Sequence, residues 1–225
     1  FVPDPITYKA VLTALSRHVG VDGKATTQAL QFAHTMLQQM KETYVKPGAI
    51  HYGAVINGWS RATDRDASNK AQALLFELEQ AYKTSGYQEY LQPNIALYSA
   101  VVMAHARSGQ PDVAEKAVAL LKRVEELYNS TGDDAYRPDI VFYGGVLTAL
   151  ARTPGEVSLK MAEALLEDLE WRAVNGEEHL RPNIVCYTSL IFKLVKSKQL
   201  ERAAELFHRI NERYEASGDI VDRPD

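Results

Sequence analysis

Apolar and polar positions along the chain recur with a period of about 45 residues. Five segments begin with a proline and carry a tyrosine five residues later. The tyrosine-to-tyrosine steps are 44, 46, 45 and 44 residues. A fixed period of this length is the signature of a repeat architecture. The repeats occupy approximately residues 3–46, 47–92, 93–137, 138–181 and 182–223, and a sixth start, Pro224-Asp225, closes the sequence.

Each repeat is predicted to form two helices, of which the first begins just after the proline. The Asp, Asn or Gly that follows proline suits a helix N-terminus. Apolar side chains then fall at the tyrosine and three, four and seven positions later, as in Tyr52, Val55, Ile56 and Trp59. This spacing is typical of one buried helix face. His105 takes the last of these positions in the third repeat, and we interpret it as a core residue.

The second helix of each repeat centres on a small residue followed by a larger apolar one. These pairs are Ala29/Phe32, Ala71/Leu74, Ala117/Leu120, Ala162/Leu165 and Ala203/Leu206. Glycine then ends the helix in four repeats, at Gly86, Gly132, Gly176 and Gly218. Helix pairs that cannot bury their own faces must stack. The sequence therefore predicts an all-α fold, an α-solenoid of five stacked helix-turn-helix repeats in one array without internal domain boundaries.

Composition excludes several classes of function. With a single cysteine among 225 residues, the chain has neither a disulfide framework nor a cysteine metal site. The six histidines lack metal-ligand spacing, and no glycine-rich phosphate loop or nucleophile elbow occurs. No apolar run approaches the length of a membrane span. We therefore expect no enzyme, no cofactor, no metal, no small-molecule substrate and no membrane contact. Because the sequence starts at Phe1 rather than Met, we also expect it to be a piece of a longer protein.

Charge separates the two kinds of helix. The net charge is −4, yet the twelve residues from each repeat tyrosine onward contain eight basic and no acidic residues. The rest of the chain holds 17 basic and 29 acidic residues. The first helices are therefore predicted to form a basic surface, and the second helices and turns an acidic one.

Two registers on the first helices carry candidate chemistry. A cation stands nine residues after every repeat tyrosine, half a turn away from the buried face: Arg17, Arg61, Arg107, Arg152 and Lys196. Two residues before each tyrosine, apolar side chains share nearly the same outward stripe: Ile6, Ile50, Ala96, Val141 and Val185. One explanation is a solubilising cationic face with apolar packing between repeats. The other is a row of phosphate contacts with apolar platforms that flank the unstacked bases of a single strand.

These residues resemble the pentatricopeptide repeat (PPR) family of helical-repeat proteins, which bind single-stranded RNA. The resemblance rests on the Pro-Asp/Asn start, two aliphatic residues, the tyrosine, the cation nine later and the alanine of the second helix, and it covers essentially the whole chain. It implies a right-handed superhelix. The repeats here are longer than those of the family, chiefly in the second helix and the segment after it. A tetratricopeptide array is the sister interpretation, but its Trp and Gly pattern is absent.

In that family two side chains per repeat select one base. One follows the repeat tyrosine and the other follows the next repeat's proline. Here the resemblance gives the pairs Lys9 with Gly48, Gly53 with Asn94, Ser99 with Asp139, Gly144 with Asn183, and Thr188 with Asp225. It implies a target such as 5′-N-A-G-A-G-3′. The alternative is that small residues occupy these positions for close helix packing.

Three hypotheses of function remain open. The first is sequence-selective binding of single-stranded RNA in organelle RNA processing, stability or translation, with a mitochondrial or plastid location implied only by the resemblance. The second is a protein–protein scaffold, for example an organelle ribosome subunit, whose acidic surface docks a basic protein partner. The third is RNA contact without sequence selection, which the glycines at base-selecting positions favour.

Overall fold

A computed structural model describes residues 3–18, 24–62 and 64–217. Within these residues every regular element is helical, which confirms the all-α helical-repeat fold with two helices per repeat. The ten α-helices are α1 (Pro5–Arg17), α2 (Lys24–Lys41), α3 (Ala49–Arg61), α4 (Ala67–Thr84), α5 (Ile95–Ser108), α6 (Val113–Thr131), α7 (Ile140–Arg152), α8 (Glu156–Val174), α9 (Ile184–Lys196) and α10 (Leu200–Ser217).

The chain forms two compact units. The first comprises residues 1–110 and 133–136 and carries α1 to α5, and the second comprises residues 111–132 and 137–225 and carries α6 to α10. The division falls inside the third repeat, between its two helices. The single uninterrupted array therefore stays a prediction. No described helix has the length and apolar character needed to cross a lipid bilayer.

The first helices begin where the sequence predicts. Asp4, Asn94, Asp139 and Asn183 each accept a hydrogen bond from a backbone N–H of the first turn through their side-chain oxygen. Such a cap satisfies a donor that the helix itself leaves without a partner. α3 differs because Gly48 has no side chain. The backbone N–H of Gly48 instead donates to His51 Nδ1 at 3.0 Å.

The apolar stripe of the first helices forms the core. Tyr52, Val55, Ile56 and Trp59 are all buried, and the equivalent residues of α5 and α7 are buried too, including His105. Of the four stripe residues of α1 only Leu12 is buried, while Val11 is 38% exposed.

The alanine register of the second helices is also buried, at Ala71, Ala117, Ala162 and Ala203. Two details of the prediction are wrong. In α2 the alanine on the core side is Ala33, whereas Phe32 is 58% exposed. In α8 the buried leucine is Leu166 rather than Leu165. The leucine error is a shift of one residue, which moves a side chain by roughly 100° around a helix, whereas the alanine error is a shift of four residues, from Ala29 to Ala33.

Short 3-10 turns account for part of the extra repeat length. After α4, α6 and α8 the chain makes three-residue turns at Glu89–Leu91, Asp134–Tyr136 and Glu178–Leu180. Each turn buries its last residue, two positions before the next proline. The preceding glycines Gly86, Gly132 and Gly176 have positive φ, as predicted for helix ends; Gly218 lies outside the described residues. The segment between repeats is therefore not purely polar, because the last residue of each turn packs into the core.

Buried hydrogen bonds tie the repeat tyrosines to second helices. The hydroxyls of Tyr98, Tyr143 and Tyr187 donate to glutamates of the preceding second helix, Glu79, Glu125 and Glu170, at 2.6, 2.9 and 2.8 Å. Each of these glutamates stands 27 residues after its own repeat tyrosine. In α2 the equivalent position is Thr35, and the hydroxyl of Tyr52 donates instead to Glu77 of its own repeat. The acidic residues of the second helices therefore serve partly as links between repeats.

Candidate nucleic-acid interface

A groove in the first unit collects many of the predicted site residues. α1 packs beside α3, and α3 beside α5, and the exposed sides of these helices enclose a groove of about 570 Å³. The described residues that line it include no Asp or Glu. They are Lys9, Thr13, Ser16, Arg17, Ala49, Ile50, Gly53, Ala54, Asn57, Arg61, Asn94, Ala96 and Leu97.

The five apolar residues two positions before each tyrosine are exposed. Ile6, Ile50, Val141 and Val185 are 76, 55, 62 and 49% accessible, and Ala96 is exposed as well. Large exposed aliphatic side chains at one repeating position need a partner or a reason. Their role in flanking bases stays a prediction.

The cation register has a structural function that the sequence did not reveal. Arg61 donates through Nη2 to the carbonyl oxygen of Ser16 at 3.3 Å, and Arg107 donates through Nη1 to that of Ser60 at 2.8 Å. Ser16 and Ser60 lie in the last turns of α1 and α3, where carbonyls lack helical partners and the helix dipole favours a positive charge. Each of these arginines therefore caps the first helix of the preceding repeat.

Capping leaves most of each guanidinium available. Arginine has five N–H donors, and both side chains are exposed beyond the capping bond. Arg17, Arg152 and Lys196 are exposed too, and the Lys196 ammonium stands 5.3 Å from the centre of the Phe192 ring. An arginine that caps a helix can also contact a phosphate. Capping alone is nevertheless enough to explain why arginine recurs at this position.

Three of the predicted base-selecting residues are the N-caps of first helices. Asp139 Oδ1 accepts from Phe142 N at 2.8 Å, Asn94 Oδ1 from Leu97 N at 3.3 Å, and Asn183 Oδ1 from Val185 N at 3.0 Å. These bonds fix how the side chains are oriented. The remaining Oδ2 of Asp139 can only accept a hydrogen bond when ionised, whereas the Nδ2 of each asparagine can only donate. The two residue types therefore offer opposite hydrogen-bonding chemistry.

The residues after the repeat tyrosines are mostly buried between neighbouring first helices. A Cβ added to Gly53 would lie 3.0 Å from Leu97 Cδ2, and one added to Gly144 would lie 3.7 Å from Cys186 Sγ. In both cases the contacting residue, Leu97 or Cys186, lies one position before the next repeat's tyrosine. Close packing therefore accounts for the small residue at Gly53, whereas a side chain at Gly144 would make only ordinary contacts.

The hydroxyls at this register are turned to their own helices, and Lys9 is exposed. Ser99 is nearly buried and donates to Ile95 O at 2.9 Å, while the exposed Thr188 donates to Ile184 O at 2.7 Å. Each oxygen keeps acceptor capacity after donating its proton. Thr188 can therefore still accept a hydrogen bond from outside the helix.

Besides Gly53 and Gly144, two further predicted positions offer no described side chain for base selection. Gly48 is buried, and a Cβ there would lie 2.7 Å from the carbonyl oxygen of Tyr90. Asp225 lies outside the described residues. Of the five predicted pairs, only Ser99/Asp139 therefore has two described side chains.

Lys193 was counted in the basic excess of the first helices, but it is buried. Its ammonium donates to Ser158 Oγ at 2.8 Å and to the carbonyl of Thr153, joining α9 to the turn between α7 and α8. Burial lowers the pKa of Lys193, and the nearby carboxylate of Glu156 only partly opposes this effect. This lysine adds no charge to the exposed surface of α9.

Comparison with known proteins identifies one repeat. The family model described as "PPR repeat" matches residues 185–214, which cover most of α9 and α10. No curated protein matches the chain. Among the described residues, no group of three or more His, Cys, Asp or Glu side chains is arranged to hold a metal ion.

Proposed function

We propose that the chain, whose residues 185–214 match the pentatricopeptide repeat model, is a pentatricopeptide repeat protein that binds single-stranded RNA along its first helices, with one base per repeat. Proteins of this family are helical-repeat RNA binders, generally non-enzymatic and commonly organellar. We place its function in RNA processing, stability or translation within a mitochondrion or plastid.

The observation that carries the proposal is the groove across α1, α3 and α5. It joins the cations Lys9, Arg17 and Arg61 to the exposed Ile50 and Ala96, without an acidic residue among the described lining. Cations supply the sequence-independent attraction to phosphates. Apolar platforms favour contact with the faces of unstacked bases.

The capped helix N-termini supply a basis for selecting bases. Asn94 and Asn183 present an amide donor, and Asp139 presents a carboxylate acceptor. A carboxylate accepts from the N–H groups of guanine, whereas an amide suits the ring acceptors of adenine. We therefore retain 5′-N-A-G-A-G-3′ as the proposed target, with the first position left open because Gly48 has no side chain.

Fluorescence anisotropy tests the proposal with five labelled probes. They are an RNA with the NAGAG core, the same RNA with each guanine exchanged for adenine, poly-U, the matching DNA and an RNA duplex. We expect the NAGAG RNA to bind most tightly, and binding to weaken as salt rises. Equal binding to all single strands would remove base selection from the proposal. Absence of binding at low salt would refute RNA binding.

Charge reversal locates the binding surface. The double variant Lys9→Glu/Arg17→Glu changes two groove residues, and Lys83→Glu on α4 is an exposed control outside the groove. Removing two phosphate contacts should lower the slope of log Kd against log salt by about 1.4. An equal effect of the control variant would show that net charge, rather than the groove, governs binding.

The scaffold function keeps one observation in its favour. The capping bonds of Arg61 and Arg107, together with the tight packing at Gly53, explain much of the first-helix pattern without RNA. A failure to bind any of the RNA probes, in a chain shown by circular dichroism to be folded, would favour the scaffold.

A further inference from the structure

Helix α8 carries apolar side chains on two faces. Its inner face buries Leu159, Ala162, Leu166 and Leu169. A second stripe of apolar residues is exposed, with fractions of 74% at Val157, 38% at Met161, 65% at Trp171 and 87% at Val174, and with the exposed Ala164 between them. The steps along this outer stripe are four, three, seven and three residues, which keep its members on one side of a helix.

The outer stripe is particular to α8. The same four positions, 14, 18, 28 and 31 residues after the repeat tyrosine, hold polar residues in the two preceding second helices. They are Lys70, Gln80 and Lys83 in α4 with its N-cap Asp66, and Lys116, Glu126 and Asn129 in α6 with its N-cap Asp112. The inner alanines Ala71, Ala117 and Ala162 keep one register in the three helices, so the comparison holds position by position. The fold of a repeat therefore does not require apolar residues here.

A groove extends this surface toward α6. It has a volume of about 460 Å³ and lies between the N-terminal parts of α6 and α8, lined by Ala114 and Val118 on one side and by Pro154, Val157 and Met161 on the other. An exposed apolar stripe that continues into a concave apolar groove is typical of a site that receives an amphipathic helix.

The charge around the stripe is predominantly acidic. Residues 156–178 contain seven acidic and two basic residues. Glu163 and Glu170 are ion-paired with Arg202 and Arg209 of α10, and the exposed Lys160 lies beside the stripe, so the acidic excess rests on the remaining carboxylates. One of the two basic residues, Arg172, is already paired with Glu177 through two hydrogen bonds of 2.9 and 2.8 Å. Glu167 and Asp168 are exposed beside Trp171, in the C-terminal half of the stripe. An acidic rim around apolar anchors complements a basic amphipathic partner and repels an acidic one.

We propose that the outer face of α8, continued by the α6–α8 groove, docks a basic amphipathic helix of a protein partner. The stripe from Val157 to Val174 is about 26 Å long at the rise of an α-helix. It therefore matches about five turns of a partner helix. Trp171 is the largest anchor of the stripe, in keeping with the strong contribution of tryptophan to protein interfaces.

The fluorescence of Trp171 also provides a way to measure peptide binding. The chain has two tryptophans, and Trp59 is 1% exposed while Trp171 is 65% exposed. Acrylamide quenching and the emission wavelength therefore report on Trp171. The probe is a synthetic 20-residue helical peptide with leucines on one face and lysines beside them. A second peptide carries glutamates in place of the lysines, and a third has the first peptide's residues in scrambled order.

We expect the basic peptide to shift Trp171 emission to the blue and to protect it from acrylamide, with a Kd at least tenfold tighter than that of the other two peptides. The variant Val157→Lys/Val174→Lys should weaken this binding at least tenfold. Asn129→Lys, at the same register of α6, should leave it unchanged. All three positions are exposed, so the helical circular dichroism of each variant should match that of the parent chain.

Four results would overturn the proposal. They are no binding of the basic peptide, equal binding of the acidic peptide, binding that persists in the double lysine variant, and loss of binding in the Asn129 control. Sedimentation of the chain alone tests whether a second copy of the chain occupies the stripe instead. Self-association that the double lysine variant abolishes would assign the stripe to that second copy. None of these outcomes depends on RNA binding.

Discussion

Two helical glycines that look alike in sequence should respond to alanine with opposite signs. Gly58 lies within α3 and Gly144 within α7, and neither has positive φ. Replacing a helical glycine by alanine stabilises a helix by about 0.8–1.0 kcal/mol where space allows. Any difference between the two sites must therefore come from packing.

The space differs sharply. At Gly144 the nearest atoms to an added Cβ are Cys186 Sγ at 3.7 Å and Val185 Cγ1 at 3.8 Å, which are ordinary contacts. At Gly58 the added Cβ would lie 2.4 Å from Leu30 Cδ2 and 2.8 Å from Ser16 Cβ. Overpacking of this kind costs about 1–3 kcal/mol. We expect Gly144→Ala to raise the free energy of unfolding by about 0.5–1 kcal/mol, and Gly58→Ala to lower it by up to about 2 kcal/mol after subtracting the gain in helix propensity.

Urea unfolding followed by circular dichroism at 222 nm measures both values. For a chain of this size, 1 kcal/mol corresponds to a shift in Tm of about 2–4 °C, so thermal unfolding gives an independent check. A destabilised Gly144→Ala variant would refute the packing argument, since no steric cost is visible there. A Gly58→Ala variant as stable as the parent would show that α1, α2 and α3 separate easily to admit a methyl group.

Three further predictions concern other links in the structure. Arg107→Ala removes the donor that caps α3 and should lower the free energy of unfolding by about 0.5–1.5 kcal/mol; a loss of RNA affinity with unchanged stability would instead favour a role in binding alone. Burial raises the pKa of Tyr136 to about 12 and also raises that of Tyr143, so the stability these tyrosines provide is complete below pH 10 and should be lost as pH rises above it. The part of the tyrosinate absorbance at 295 nm that Tyr136 and Tyr143 contribute should therefore appear together with unfolding, and Tyr143→Phe should weaken the pH dependence; tyrosinate formation from these groups in the folded chain near pH 10 would contradict this. Gly144→Ser adds a hydroxyl at a proposed base-selecting position and should tighten binding, measured by anisotropy, to RNA with adenine at the fourth base, whereas an equal change for all four bases would refute selection there.

Periodicity predicted much of the fold from sequence. The proline and tyrosine registers located all five first helices, because N-caps and buried faces depend on residues close together in the chain. The mistaken alanine of α2 has no such local marker. Its true core register, at Ala33, is set by packing against α1 and α3, and that contact is invisible in the repeat pattern of this atypical first unit.

The places of the candidate residues on the helices could be predicted from sequence. The structural roles that some of them also have could not. The exposure of Ile50 follows from helical geometry alone. The capping bond from Arg107 to Ser60 O could not be predicted, because it joins residues 47 apart across a repeat boundary. The burial of Lys193 was missed for a similar reason, since its partners lie in the turn of the preceding repeat. The buried residues two positions before each proline had a detectable pattern, and a closer comparison of the repeats would have found it.

The arginine caps have a consequence for the strength of individual phosphate contacts. A free arginine or lysine side chain loses up to about 2 kcal/mol of rotamer entropy when it is fixed. Arg61 and Arg107 have already lost part of that freedom to a backbone carbonyl before any RNA arrives. On the proposed path of the strand, we expect these two preorganised guanidinium groups to contribute more per contact than the flexible ammonium of Lys196. The RNA would then be bound most tightly at the second and third repeats and more weakly toward the fifth.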